Sequence, residues 1–192
     1  MSQMATEPQG SGVAATRPPA RATAVWSVAV LAGSAVLGLV GGLIWGEAAP
    51  RATLQEIGAG TAELVSAETR AFIGADVWFS GIAIVAGLLT GILGYRFAVA
   101  PRTGGARAAV AASLIAGAVV GSFAMMWLGE QIGLSAYNQH LASSPNGTLF
   151  SASLVLGAKS ALAFWPMFTA IVLLIAEWGN RAPAPRRAEP PQ

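Results

Sequence analysis

The sequence contains no cysteine, so disulfides, thiolate nucleophiles and cysteine-based metal sites are excluded outright. Lysine occurs once, at Lys159, against ten arginines. Charged residues make up only 10% of the 192 residues and hydrophobic residues 54%, whereas a soluble domain carries about 25% charged residues. That deficit points to lipid rather than water as the solvent. The net charge of +2 comes mostly from arginines near the ends of apolar runs. No basic stripe with interleaved aromatics exists, so nucleic acid is not an expected partner. No phosphate-binding loop, Ser/His/Asp set or metal-ligand cluster is legible. The chain is therefore not expected to be an enzyme, and no catalytic residue, cofactor or metal is assigned. His140 stands alone in a polar stretch and reads as solvated. Asn146-Gly147-Thr148 fits a glycosylation acceptor, but Pro145-Asn146-Gly147 reads better as a turn.

What the sequence has is long apolar runs. A bilayer core about 30 Å thick needs about 20 mostly apolar helical residues to cross. Residues 24 to 46, 77 to 99, 108 to 129 and 154 to 178 meet that length. Backbone groups in hydrocarbon must satisfy one another, so runs this long read as helices and not as barrel strands. The expected fold is an all-α membrane protein, a four-transmembrane-helix bundle over residues 24 to 178. Residues 1 to 23 and 179 to 192 read as disordered cytoplasmic tails. The first run is too long for the apolar region of a cleaved signal peptide and reads as a retained helix.

Arginine placement sets the expected orientation. Arg17 and Arg21 precede the first run, Arg96, Arg102 and Arg107 surround the link between the second and third, and Arg181, Arg186 and Arg187 follow the fourth. The other two connections carry Glu47, Glu56, Glu63, Glu68, Asp76 and Glu130 against Arg51 and Arg70. An even span count and the charge bias agree: both termini in the cytoplasm of a plasma-membrane protein, both longer loops outside. Trp45, Trp78, Trp127 and Trp178 fall at predicted helix ends, at headgroup level. Trp26 lies near an inner end, and Trp165 lies deeper, as a packing residue or lipid contact.

The first outer loop fits two readings. Gly58-Ala59-Gly60 can turn a β-hairpin between residues 52 to 57 and 61 to 65, or Leu54, Ile57, Thr61, Leu64 and Val65 can form one helical face. The hairpin, capping the bundle, is the slightly favoured reading. Small residues recur at helical spacing: Gly38 and Gly42, Gly87 and Gly91, Gly117 and Gly121. Helices in lipid associate through close contact that such residues allow, so these are the candidate helix-packing positions. They serve the bundle itself or, in the sharper reading, a partner helix or second copy. Gly38 and Gly42 are followed by Trp45-Gly46-Glu47, and Gly117 and Gly121 by Trp127, Gly129 and Glu130. That likeness suggests a tandem repeat of two helical hairpins about an axis along the membrane normal.

Mid-span residues include no ionisable group; the polar ones are Ser34, Thr90, Ser113, Ser122 and Thr169. Ion-coupled transporters keep a charged or titratable group at that depth, so this absence argues against one. Lys159 is expected about one and a half turns into the fourth helix, where it can snorkel to the outer interface. Glu47, Asp76 and Glu130 share its depth and complete a candidate outer-rim polar site. Pro166 falls near the middle of the fourth run and is a candidate kink, because its ring clashes with the carbonyl of Leu162.

The Ala49-Pro50-Arg51 exit, the Gly74-Ala75-Asp76-Val77-Trp78-Phe79 stretch leading into the second run and the Trp127-Leu128-Gly129-Glu130 exit together carry a resemblance. Over residues 24 to 180 the chain resembles an actinobacterial family of small four-helix membrane proteins classed as a domain of unknown function. The resemblance implies a plasma-membrane protein of a Gram-positive actinobacterium and no activity. The expected role is an accessory, assembly or scaffold component. It would act through helix–helix and outer-loop contacts, with the lipid bilayer and a membrane-protein partner or a second copy as partners. The rival reading is a small permease or lipid-handling protein with its site around Lys159.

Overall fold

A computed structural model describes residues 20–58, 61–65, 69–143 and 145–180. The greater part of both tails, with Arg17, Arg181, Arg186 and Arg187, lies outside the described residues, as do Ala59, Gly60 and Glu68. The elements are α1 (Ala20–Ala48), β1 (Thr53–Gly58), β2 (Thr61–Leu64), α2 (Thr69–Gly94), α3 (Gly104–Gln131), α4 (Leu134–Ser143), β3 (Leu149–Ser151) and α5 (Phe164–Asn180). A π-helical turn, Tyr95–Val99, extends α2, and a 3₁₀ turn, Lys159–Ala163, leads into α5. Among the described residues four helical segments are long and apolar enough to cross a membrane: Arg21–Ala48, Arg70–Val99, Gly104–Ser143 and Lys159–Asn180.

The closest helix pairs are α1 with α3 and α2 with α5, and glycine sets both. A Cβ on Gly38 would collide with the backbone of Gly121, one on Gly42 would lie 2.7 Å from the Met125 carbonyl, and one on Gly117 2.7 Å from Ser34 Oγ. Each pair is 83 positions apart (38 and 121, 42 and 125, 34 and 117), so α1 and α3 run parallel in constant register. On the other pair, a Cβ on Gly87 would lie 2.7 Å from the Trp165 carbonyl and one on Gly91 2.7 Å from Val172 Cβ. Thr169 Oγ1 donates to the Gly87 carbonyl, 82 positions away. Tyr95 Oη donates to the Ala176 carbonyl, 81 positions away.

Near-constant offsets follow from parallel packing: α1 meets α3 at a step of 83, and α2 meets α5 at steps of 78 to 82. The matching register is not the one the glycine pattern suggested. Gly38 faces Gly121 rather than aligning with Gly117, so Ser34-Ala-Val-Leu-Gly38 lies against Gly117-Ala-Val-Val-Gly121. The same 83-residue step relates Gly46-Glu47 to Gly129-Glu130 and Gly74-Ala75-Asp76 to Gly157-Ala158-Lys159.

The core runs the length of the bundle. Trp45, Phe79, Ala118, Met125, Leu156 and Trp165 belong to one cluster at the sheet end and centre, and Val99, Val110, Leu114 and Leu173 to a second toward the α2–α3 link. Trp45 corrects the sequence reading. It is fully buried, its indole N–H donates to the Ala75 carbonyl at 2.8 Å, and its ring meets Phe79 edge-on at 5.2 Å. A buried indole needs such an acceptor, and the last turn of α1 faces the core. Trp78, Trp127 and Trp178 are exposed.

The cap over one end is a three-stranded antiparallel sheet of order β2-β1-β3. The hairpin reading holds: Leu54 opposes Leu64 and Glu56 opposes Ala62. Alternation places Leu54 and Glu56 inward and Thr53, Gln55 and Ile57 outward, the period-two pattern of a half-buried strand. The third strand and α4 stand where the sequence reading had only a polar loop. Gly133, at φ 85°, separates α3 from α4, and α4 lays Tyr137 and His140 against Phe150 of β3, with ring centroids 5.9 and 5.5 Å apart. His140, though exposed, thus stacks on a ring instead of standing in a loop.

The fourth span begins later than the apolar run implied. Leu154 and Leu156 are buried while Val155 is 52% exposed, an alternation that only extended chain gives. Helical geometry starts at Lys159, which opens its helix rather than lying one and a half turns inside it. Pro166 is accordingly the third residue of α5, not a mid-helix kink. The N–H that proline lacks has no intrahelical partner in the first turn of an α-helix in any case.

Candidate functional site

At the sheet end two carboxylates hold the segment that starts the last span. Glu130, next to last in α3, accepts the Leu156 backbone N–H at 3.1 Å and lies 3.4 Å from Lys159 Nζ. Asp76 of α2 accepts the N–H of Gly157 on one oxygen and that of Ala158 on the other, each at 3.0 Å. Ala158 is the N-cap of the 3₁₀ turn and has no side-chain acceptor of its own. Asp76 supplies the missing carboxylate from a neighbouring helix, where the exposed N–H groups favour negative charge.

Of the four residues proposed for the rim, the fold therefore joins Lys159 with Glu130 and sets Asp76 beside them on the same backbone segment. Glu47 is exposed at the end of α1, and no ion pair among the described residues links it to Lys159. The Lys159 side chain is 58% exposed, and its Nζ also lies 3.7 Å from Met126 Sδ. An exposed pair of this kind contributes about 0–1 kcal/mol. The rim acids are committed to backbone donors, so their first effect is to fix chain geometry.

Arg51 fastens the cap to both parallel helices. Its Nη2 donates to the carbonyls of Gly46, at 2.5 Å, and Ile132, at 3.4 Å. These lie at the C-terminal ends of α1 and α3, where orphan carbonyls favour a cation. Beside it, a cavity of about 410 Å³ between α4 and the sheet is lined by Arg51, Tyr137, His140, Phe150 and Ser151. Within the cap, Glu56 is 3% exposed and its Oε2 has no hydrogen-bond partner among the described residues.

A second polar cluster at the opposite end escaped the sequence reading. Tyr95 Oη accepts from Arg107 Nη2 at 2.8 Å and from Asn180 Nδ2 at 2.6 Å, and donates to the Ala176 carbonyl at 3.3 Å. That uses the hydroxyl's one donor and both acceptor sites. Arg107 Nε pairs with Glu177 Oε1 at 2.6 Å. Arg102 bonds the Ala98 carbonyl and lies over the Trp26 ring, 4.6 Å from its centroid. The arginines read only as topological signals thus also clamp α2, α3 and α5 together. The available signal was Glu177, an acid at the end otherwise marked by arginines.

The six candidate packing glycines all lie inside the bundle, on α1–α3 and α2–α5 contacts. Gly33 and Gly81 differ: a Cβ on either meets nothing within 4 Å. Among the described residues no group of three or more His, Asp or Glu is placed to hold a metal ion. At mid-depth the buried polar groups are hydroxyls. Thr90 accepts the Trp165 indole N–H at 3.1 Å, and Ser122 Oγ is buried without a partner. Comparison with family models, with curated proteins and with solved structures finds no match to this chain.

Proposed function

We propose that the chain is an integral membrane protein that works through contacts, as an accessory, assembly or scaffold component, and not through transport or catalysis. In this reading the sheet end faces outward and both termini lie in the cytoplasm. The observation that carries it is the distribution of charge. Residues 22–46, 77–94, 108–129 and 160–176 hold no Asp, Glu, Lys, Arg or His, so the charges of the four long segments lie outside these stretches, and the two ends of the bundle carry opposite bias. Arg21, Arg96, Arg102 and Arg107 mark the end away from the sheet, as cytoplasmic ends are marked. Between the ends lies packed apolar core with scattered hydroxyls, which offers no relay or ion site.

Support for a contact role comes from the cap, in which α4, the sheet and the exposed Glu47 stand together at one end of the bundle while Arg51, Asp76 and Glu130 hold its base. Purification of the full chain from native membranes in mild detergent, with mass spectrometry of what stays bound, tests this role. A stoichiometric protein partner or defined homo-oligomer that is lost on substitution at the cap surface is the expected result. A monomer with no protein partner, whose loss from cells impairs uptake or export of a solute, would favour the rival permease reading.

A further inference from the structure

The helix pairs are not filled alike. Between α1 and α2 runs an open groove of about 580 Å³, lined by Leu37, Val40 and Ile44 on one side and by Val77, Trp78 and Val85 on the other. Gly41, Gly81, Ala86 and Trp165 also line it, and it has no charged lining residue. Counted along the sequence by the 83-residue step at which α1 meets α3, Gly81 corresponds to Phe164, and Phe164 packs against the central core. One half of the molecule thus supplies its own apolar filling at a position the other half leaves empty.

We infer that this groove seats one acyl chain of an anionic lipid from the sheet-side leaflet. The inference rests on the membrane reading above. Length selects the occupant. From Val77 to Leu89 the groove follows α2 for about 18 Å at 1.5 Å per residue, close to the 15 Å or so of hydrocarbon in one leaflet. It ends at Leu37 and Leu89, near mid-depth. A partner helix would need a seam along the full span of about 30 Å.

Charge selects the headgroup. Arg70 precedes Val77 by seven residues and Gly81 by eleven, which places it on the same face of α2, about 10 Å above the groove mouth. It is exposed there, at the level where a lipid phosphate lies and where an arginine favours negative charge. Trp78, half exposed at the mouth, suits that polar–apolar boundary.

The test uses the full chain reconstituted into vesicles of equal parts phosphatidylglycerol and phosphatidylcholine, then released into mild detergent for native mass spectrometry. Alkaline carbonate extraction of cell membranes comes first: release of the chain would refute the membrane reading itself and is distinguishable from any result on the groove. Gly81→Phe fills the groove, and Gly33→Phe is the control, since both positions are open. The wild type and Gly33→Phe should each retain one phosphatidylglycerol. Gly81→Phe should retain about tenfold less or lower, and Arg70→Gln should keep a lipid but lose the preference for phosphatidylglycerol. Equal retention by Gly81→Phe and wild type would overturn the inference. So would a wild-type dimer that Gly81→Phe dissociates, because the occupant would then be a second copy.

Discussion

Single atoms decide how closely these helices approach. Gly38 faces the backbone of Gly121 with no room for a methyl group, while Gly33, five residues earlier on the same helix, faces open space. Gly38→Ala must push two backbones apart, and overpacking of that kind costs about 1–3 kcal/mol. Gly33→Ala removes only the backbone freedom of glycine and should stabilise by about 0.5–1 kcal/mol. Thermal unfolding in detergent should therefore move the two variants in opposite directions from the wild type. The rim makes a parallel contrast. Asp76→Ala strips two backbone N–H groups of their acceptor and should cost about 0.5–2 kcal/mol, as loss of a helix cap does. Lys159→Met removes a half-exposed pair and should cost less than about 1 kcal/mol. A larger loss for Lys159→Met than for Asp76→Ala, in the same unfolding assay, would show that the ion pair and not the cap fixes the segment.

At the scale of elements, the four long apolar helices were legible because crossing length is a property of composition: about 20 apolar residues read the same whatever they pack against. The start of the last span was not, because Leu154 and Leu156 are as apolar as helix residues and only the inward–outward alternation betrays extended chain. The sheet was legible in part. Both strands of the hairpin, β1 and β2, showed in the sequence, but β3 is three residues long and pairs across about a hundred positions, a contact no local pattern encodes. The late helix start changes what Pro166 does. Replacing a proline inside a helix restores a lost hydrogen bond and relieves a clash, about 3 kcal/mol in all. In the first turn neither applies, so Pro166→Ala should shift stability by less than about 1 kcal/mol. Thermal melting of that variant checks the placement directly.

For the molecule as a whole, α1 and α3 pack in one register: Gly38 on Gly121, Ser34 on Gly117, Gly42 on Met125. The glycine pattern aligned Gly38 with Gly117, whereas Gly38 meets Gly121; glycine-rich runs align at several offsets, and only the parallel contact selects one. The candidate site was legible only in part. Lys159 and Glu130 do meet, yet Glu47 stands apart. The Tyr95–Arg107–Glu177 clamp was hidden because its members are scattered over three helices. The two ends of the bundle are chemically distinct, acidic and capped at one, basic and clamped at the other. Orientation in the membrane is the claim on which the contact role and the lipid groove both depend. The absence of cysteine makes it directly measurable, by single cysteines at Ser143, on α4, and at Thr103, in the link before α3, treated with an impermeant maleimide on intact cells. Labelling at Ser143, with labelling at Thr103 only after the membrane is opened, is the predicted result. Labelling of Thr103 on intact cells would contradict the account.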